Sequence, residues 1–299
     1  MKIALFMTVC EGESVISRDA LQSLVRACEG HDLHAFIVDD ASESAVGDGL
    51  VEFAKRTHGV PGECLRMKQS LGFHGMAKRL FAGLERVAEH GGDFDQIVKL
   101  DPDALVVRRD LGRFLAESTI GRRGLAGEMH GMRLRDCAPF LLDQLPFGYR
   151  RRSANGVLAH DKEFRRVGPV WWTDIGVRAL LGGFHFRYVP GCFFVLGGDT
   201  LRALHERGYL ARSQARHGLV FNDDLILTAS TYAVGHPVVD LSRRSPHWGW
   251  SMSMAEDTPM DVVVKHAPYV VHPLKKHAAA LQRRDELHAH YGLGPVPGA

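Results

Sequence analysis

This sequence predicts an α/β fold, a mostly parallel sheet flanked by helices, and three observations predict it. Short apolar runs rich in β-formers alternate with segments whose apolar residues recur at helical spacing. Two of the apolar runs end in paired acids, as the carboxyl ends of parallel strands do beside a ligand crevice. The 299 residues, 45% hydrophobic and 24% charged, suffice for one full core of ordinary composition. A single domain over residues 1–299 is therefore expected.

The elements follow in order. KIALFMTV, from Lys2, reads as the first strand, and Glu11 and Glu13 come too soon after it for a secretory signal. Leu21, Leu24, Val25 and Cys28 keep helical spacing, and HAFIV from His34 is the second strand, so strand, helix and strand form one unit. In GFHGMAKRLFAGLERVAEH, Met76, Leu80, Leu84 and Val87 make one apolar face, with Lys78, Arg79, Glu85 and Arg86 on the other. That helix leads into QIVKL, a strand that breaks at Asp101-Pro102-Asp103 and turns apolar again. From Gly121 to about Gly183 the chain is rich in Arg, Gly and Pro with weak periodicity, which predicts loops and short elements around a site. FRYVPGCFFVL reads as strands, and DTLRALHERG and DDLILTASTYAVG as short helices.

Composition excludes several function classes. A net charge of +2, from 37 basic and 35 acidic residues without a basic run, gives no nucleic-acid footprint. The five cysteines, Cys10, Cys28, Cys64, Cys137 and Cys192, never form a Cys-x-x-Cys, so reduced thiols in the cytoplasm are expected. No apolar run approaches the roughly 18 residues of a membrane span, so no transmembrane segment is expected. There is no Gly-x-Ser-x-Gly elbow, no phosphate-binding Gly-Lys loop and no dinucleotide fingerprint.

The acids carry the chemistry. Side chains alternate along a strand, so Asp101 and Asp103 project to one side if the segment stays extended. Two carboxylates there suit Mg²⁺ or Mn²⁺, and Pro102, which donates no hydrogen bond, suits a strand end. The same residues also suit a plain turn. Asp39 and Asp40, ending the second strand, read as acceptors for a base or ribose, or as an Asx turn with Ser42.

In order and spacing, the first strand and helix, IVDDAS, the basic helix and VKLDPDALV together resemble the nucleotide-sugar-binding half of GT-A glycosyltransferases. The closest resemblance is to the large inverting family with cellulose- and chitin-synthase-like and rhamnosyl-transferring members. The resemblance covers roughly residues 2–110, the expected nucleotide-sugar-binding half, and then islands in 111–299, the expected acceptor-binding half. It implies a UDP-, GDP- or dTDP-sugar donor, a hydroxyl acceptor and a Mn²⁺ or Mg²⁺ cofactor. It places Asp39 and Asp40 on the base or ribose, with Thr8, Lys78 and Asp101 in the same nucleotide-binding set, and Asp101 and Asp103 on the metal.

Three islands extend the expectation. VPGCFFVLGGDTLRAL looks like the acceptor-side strand and helix. FNDDLILTAS resembles the Glu-Asp motif whose second acid is the catalytic base, which implies Asp224 as base and Asp223 at the Glu position. Asn222 and the two acids also suit ordinary helix capping. In VVVKHAPYVVHPLKKH, His272 is implied as the third metal ligand, with His266 as competitor, and Lys275 and Lys276 as charges facing the diphosphate. Trp171, Trp172, Trp248 and Trp250 suit sugar stacking or core anchoring, and SRRSPHWGWSMSM, with Arg243 and Arg244, suits a lid. The alternatives are a retaining transferase of the same fold and a non-catalytic nucleotide-sugar-binding module. A nucleotidylyltransferase is disfavoured because TVCEGESVISRD holds too little Gly for its phosphate loop.

Overall fold

A computed structural model describes residues 1–72, 75–117, 120–131, 174–214, 223–248 and 258–294. Eleven strands are found among them. A seven-stranded sheet has the order β10-β6-β9-β4-β1-β2-β3, built from β1 (Lys2–Val9), β2 (Asp32–Asp39), β3 (Gly62–Arg66), β4 (Gln96–Leu100), β6 (Leu125–Gly127), β9 (Phe193–Gly197) and β10 (Val238–Asp240). β1 runs parallel to β2 and β4, and β2 parallel to β3; only β9 is antiparallel to its neighbours. The sheet is therefore mixed α/β and mostly parallel, with β6, β9 and β10 of the later chain extending the sheet of the first third.

Strand periodicity sorts the core into two layers. Ile3, Leu5, Met7 and Val9 of β1 pack with Leu21 and Leu24 of the helix Ser14–Ala27. Ala4 and Phe6 pack on the other face with Leu80, Phe81 and Leu84 of the helix Met76–Glu89. Side chains alternate across a strand, so a strand buried on both faces must be apolar throughout, as β1 is. Helix Met76–Glu89 lies so close that a Cβ at Gly83 would come within 2.4 Å of Phe6. Truncating a buried side chain there, such as Leu84→Ala, should cost about 2–5 kcal/mol.

Within the first hundred residues, two elements are not visible in the sequence pattern. The helix Val46–His58 and β3 lie between the second strand and the basic helix. Gly47 and Gly49 dilute the helical signal of VGDGLVEF. β3 is an edge strand without one fully buried residue, so it shows no apolar run. Residues 174–181, inside the stretch expected to hold loops and short elements, form a helix.

A smaller ladder does the positioning. β5 (Leu105–Val106) pairs antiparallel with β11 (Val270–Val271), in the register Leu105 to Val271 and Val106 to Val270. Around it Val107, Val263, Leu274, Leu287 and Leu293 form a third cluster with the C-terminal helix Ala278–Tyr291. The remaining strands, β7 (His130–Gly131) and β8 (Arg187–Tyr188), pair with each other.

Candidate active site

β1 has β2 on one side and β4 on the other, so the connections leave in opposite directions and open a crevice at the carboxyl ends of β1 and β4. Asp101 and Asp103 follow β4 at this point. Asp101 is fixed by its backbone, whose N–H donates to the Cys192 carbonyl at 2.9 Å while its own carbonyl accepts from Ala104 at 3.1 Å. Pro102 thus sits in a turn at the strand end, where its missing N–H costs nothing.

The β5–β11 ladder brings His272 to the same place, with Nε2 3.2 Å from Asp103 Oδ1. One donor atom each from Asp101, Asp103 and His272 lie within 4.8 Å of one another. His272 also keeps a buried ring nitrogen, Nδ1, without a hydrogen-bond partner. Burial works to raise the Asp103 pKa, but the hydrogen bond and charge of His272, with Lys275 and Lys99, lower it overall. Two carboxylates and an imidazole at this spacing fit a divalent cation, and the mixed oxygen and nitrogen set suits Mn²⁺ better than Mg²⁺. His266 is not in the group; its carbonyl lies 2.8 Å from His247 Nδ1 instead.

A buried lysine absent from the sequence reading organises the other side. Lys99 is 3% exposed and bonds the Asp101 carboxylate and the Gly191 carbonyl. Burial disfavours its charge, but Asp101, Asp223 and Asp224 outweigh that and raise its pKa. Asp223 and Asp224 open the helix Asp223–Ala233 and are both buried. Burial raises both their pKa values, and the like charge of Asp223 pushes Asp224 well above the ordinary carboxylate range, with Lys99 and the Gly191 N–H acting in the opposite direction. A Cβ at position 191 would lie 2.3 Å from Asp224 Oδ1, so only glycine admits this contact. Lys99 therefore links the cation cluster to the acidic pair.

Asp39 and Asp40 are brought to the crevice, but their oxygens are used by the chain. Asp39, fully buried, accepts from the Ser42 N–H and hydroxyl at 2.7 Å and from the Gly47 N–H at 2.8 Å. Asp40 accepts from the Ser70 hydroxyl, the Leu71 and Gly72 N–H groups and Arg79, the last at 2.5 Å. A carboxylate has about four acceptor positions. These two anchor turns that frame the crevice, Asp39 in the turn with Ser42.

Thr8 is half-buried beside Val38 near the end of β1, and Lys78 is half-buried on its helix. The helix cation that reaches the crevice is Arg79, one residue later. Besides binding Asp40, its charge acts on Asp223 and Cys10. Lys275 and Lys276 are exposed; Lys276 Nζ would lie 3.2 Å from a Cβ at Gly12, so it hangs over the loop after β1.

Trp248 takes the core-anchoring side of its two readings. It is 2% exposed and packs among Phe114, Phe193 and Tyr269 with ring centroids 5.1–5.5 Å apart, an anchor in the core and not a platform for a sugar. Trp171, Trp172 and Trp250 lie outside the described residues, as do Cys137, Asn222 and residues 249–254 of the expected lid. Arg243 and Arg244 at its start are exposed, Arg243 lying 3.5 Å from Asp240. Cys10, Cys28, Cys64 and Cys192 are free thiols. No described helix is long and apolar enough to cross a membrane.

The C-terminal helix completes the site from behind. Buried Arg284 donates to Asp19 at 2.7 Å, to the Pro102 carbonyl at 3.0 Å and to the Leu274 carbonyl at 3.1 Å. One guanidinium thus holds both segments that carry the cation cluster. Its signal is one of two adjacent Arg residues in a polar helix, with nothing in the local pattern to mark it.

No protein-family model and no curated protein matches the chain. Among solved structures it is similar to the galactosyltransferase LgtC, in complex with donor and acceptor sugar analogues, at 14% identity and a TM-score of 0.50, over 96% of this chain and 95% of that one. The architecture is the GT-A fold. The bifunctional glycosyltransferase WbbM, in its apo form, aligns with the GT-A fold of this chain at 11% identity and a TM-score of 0.49, over 96% of this chain but 51% of its own.

Proposed function

We propose that the chain is a metal-dependent glycosyltransferase that moves a sugar from a nucleotide-sugar donor to a hydroxyl acceptor. The observation that carries the reading is the convergence of Asp101, Asp103 and His272, from segments far apart in the sequence, on the crevice of a GT-A fold. A divalent cation bound there supplies charge neutralisation for the departing diphosphate. The chain's own groups do the rest. Lys275 and Lys276, exposed at the crevice rim, bind phosphate oxygens as point charges. Asp39, Asp40 and Arg79 hold the turns against which the nucleotide lies.

In the inverting form of the reaction, Asp224 removes the proton from the acceptor hydroxyl as that oxygen attacks the anomeric carbon. Its raised pKa makes the ionised form a stronger base than an ordinary carboxylate, and Lys99 steadies the charge. The same raised pKa favours a second reading, a retaining transferase in which the protonated pair positions the sugar by hydrogen bonds.

The test is transfer from UDP-, GDP- and dTDP-sugars to a panel of hydroxyl acceptors, with and without Mn²⁺, read as product and its anomeric configuration. Metal-dependent transfer supports the proposal, and inversion supports Asp224 as base. Binding of a nucleotide sugar without transfer or hydrolysis under any condition overturns it in favour of a binding module.

A further inference from the structure

We propose a second cation site, for a transition metal such as Zn²⁺, at His34, Glu63 and His90. These residues come from β2, β3 and the end of the helix Met76–Glu89, and none belongs to the crevice. One donor atom from each lies within 4.8 Å of the others. His90 Nδ1 is 2.5 Å from Glu63 Oε1, and the His34 and His90 rings are 4.6 Å apart. His34 lies near the start of β2, opposite Ala4 near the amino end of β1, so the site sits at the far end of the sheet from Asp101.

Three features give these residues the character of ligands. His34 Nε2 is shut off from solvent and has no hydrogen-bond partner, a lone pair or N–H that folding has desolvated without compensation. The ring is held by Phe36 and Phe94, at 4.7 and 6.1 Å, so its direction is fixed by packing. Glu63 is oriented from behind, since Arg86 takes its other oxygen, Oε2, at 2.5–2.6 Å. A tetrahedral ion with bonds of about 2.0–2.2 Å needs donors about 3.3–3.5 Å apart, a distance that rotation of His90, at the helix end, supplies.

The donor set selects the ion. Arg86 cancels much of the local negative charge, so a hard ion held by charge alone is disfavoured. Two imidazoles favour a metal that bonds nitrogen well, Zn²⁺, Ni²⁺ or Cu²⁺, over Mg²⁺ or Ca²⁺. With three protein ligands the fourth position is left to water.

The experiment is calorimetric titration of the full chain with Zn²⁺ in an Asp101→Asn/Asp103→Asn background, which removes the crevice cluster from the count. One Zn²⁺ should bind. His90→Ala, at a helix end and therefore compatible with folding, should weaken it more than about a hundredfold, beyond the effect of losing an outer-shell partner. His34→Gln should do the same, and Co²⁺ substituted at the site should give visible absorption bands that both variants lose. Absence of Zn²⁺ binding in the background chain, or binding unchanged by His90→Ala, overturns the proposal.

Discussion

At the scale of single residues, Asp101 and Asp103 are chemically alike but differ in what depends on them. Asp103 faces His272, whereas Asp101 also neutralises a buried ammonium, Lys99. Both alanine variants should lose Mn²⁺-dependent binding of a nucleoside diphosphate. Asp103→Ala should keep the wild-type melting temperature, while Asp101→Ala should lose stability, with about 3–5 kcal/mol as the upper range for stripping a buried charge of its partner. Calorimetry beside thermal melts checks both, and equal melting temperatures would show that Asp223 and Asp224 suffice for Lys99. The acidic pair makes a pH prediction. Its raised pKa values mean that the ionised base accumulates only above the ordinary carboxylate range, near 3.9. Turnover should therefore rise with pH through the raised values, as a property of the pair. Asp223→Asn removes the like charge and should move that limb to lower pH; an unmoved limb assigns the ionisation elsewhere. The stability linkage has the matching sign: a carboxylate whose folded pKa is raised costs stability as pH climbs from its unfolded to its folded value. Asp224→Asn should thus gain relative stability as pH rises through that window.

At the scale of elements, the helix Ala278–Tyr291 supports the candidate site from outside the cluster of Asp101, Asp103 and His272. Arg284 spans Asp19, Pro102 and Leu274, and His288 lies 2.7 Å from Asp19 Oδ1 and 2.6 Å from the Gly294 carbonyl. With an acceptor on each side, both ring nitrogens of His288 must donate, which accounts for its raised pKa. Arg284→Lys keeps the charge beside Asp19 but loses the planar fork. We expect a lower melting temperature together with a Mn²⁺ affinity reduced about tenfold, the lower end for an outer-shell partner of a metal site. A drop in melting temperature with unchanged Mn²⁺ affinity would assign Arg284 to packing alone. None of this was legible in the sequence, because ALQRRDELHAH carries no local mark of a residue that bonds three distant segments. The strands and helices with clean periods, β1, β2, β4 and Met76–Glu89, were legible for the opposite reason: their pattern is set by burial along their own length. Arg79 was missed in favour of Lys78 because helical spacing defines a polar face but not which cation on it points along the sheet.

At the scale of the whole molecule, the paired acids mark strand ends in the sequence but not the partners their oxygens take. Asp101 and Asp103 are where an interrupted core strand said they would be. Asp39 and Asp40 occupy the expected strand end, yet the chain's own N–H groups and Arg79 take their oxygens, a competition that appears only when residues 42–79 are folded around them. Trp248 was ambiguous between core and sugar because exposure is a property of the assembled fold, and its three aromatic neighbours come from three separate regions. The short β5–β11 ladder has a consequence for the order in which the protein becomes able to act. During vectorial synthesis the carboxylates of Asp101 and Asp103 leave the ribosome long before His272, and Arg284 emerges later still. A nascent chain therefore carries an incomplete cation cluster and an untethered Asp-Pro-Asp turn. Under the proposed function, the donor is gripped only once β11 has paired with β5, which keeps a half-made chain from spending activated sugar on water.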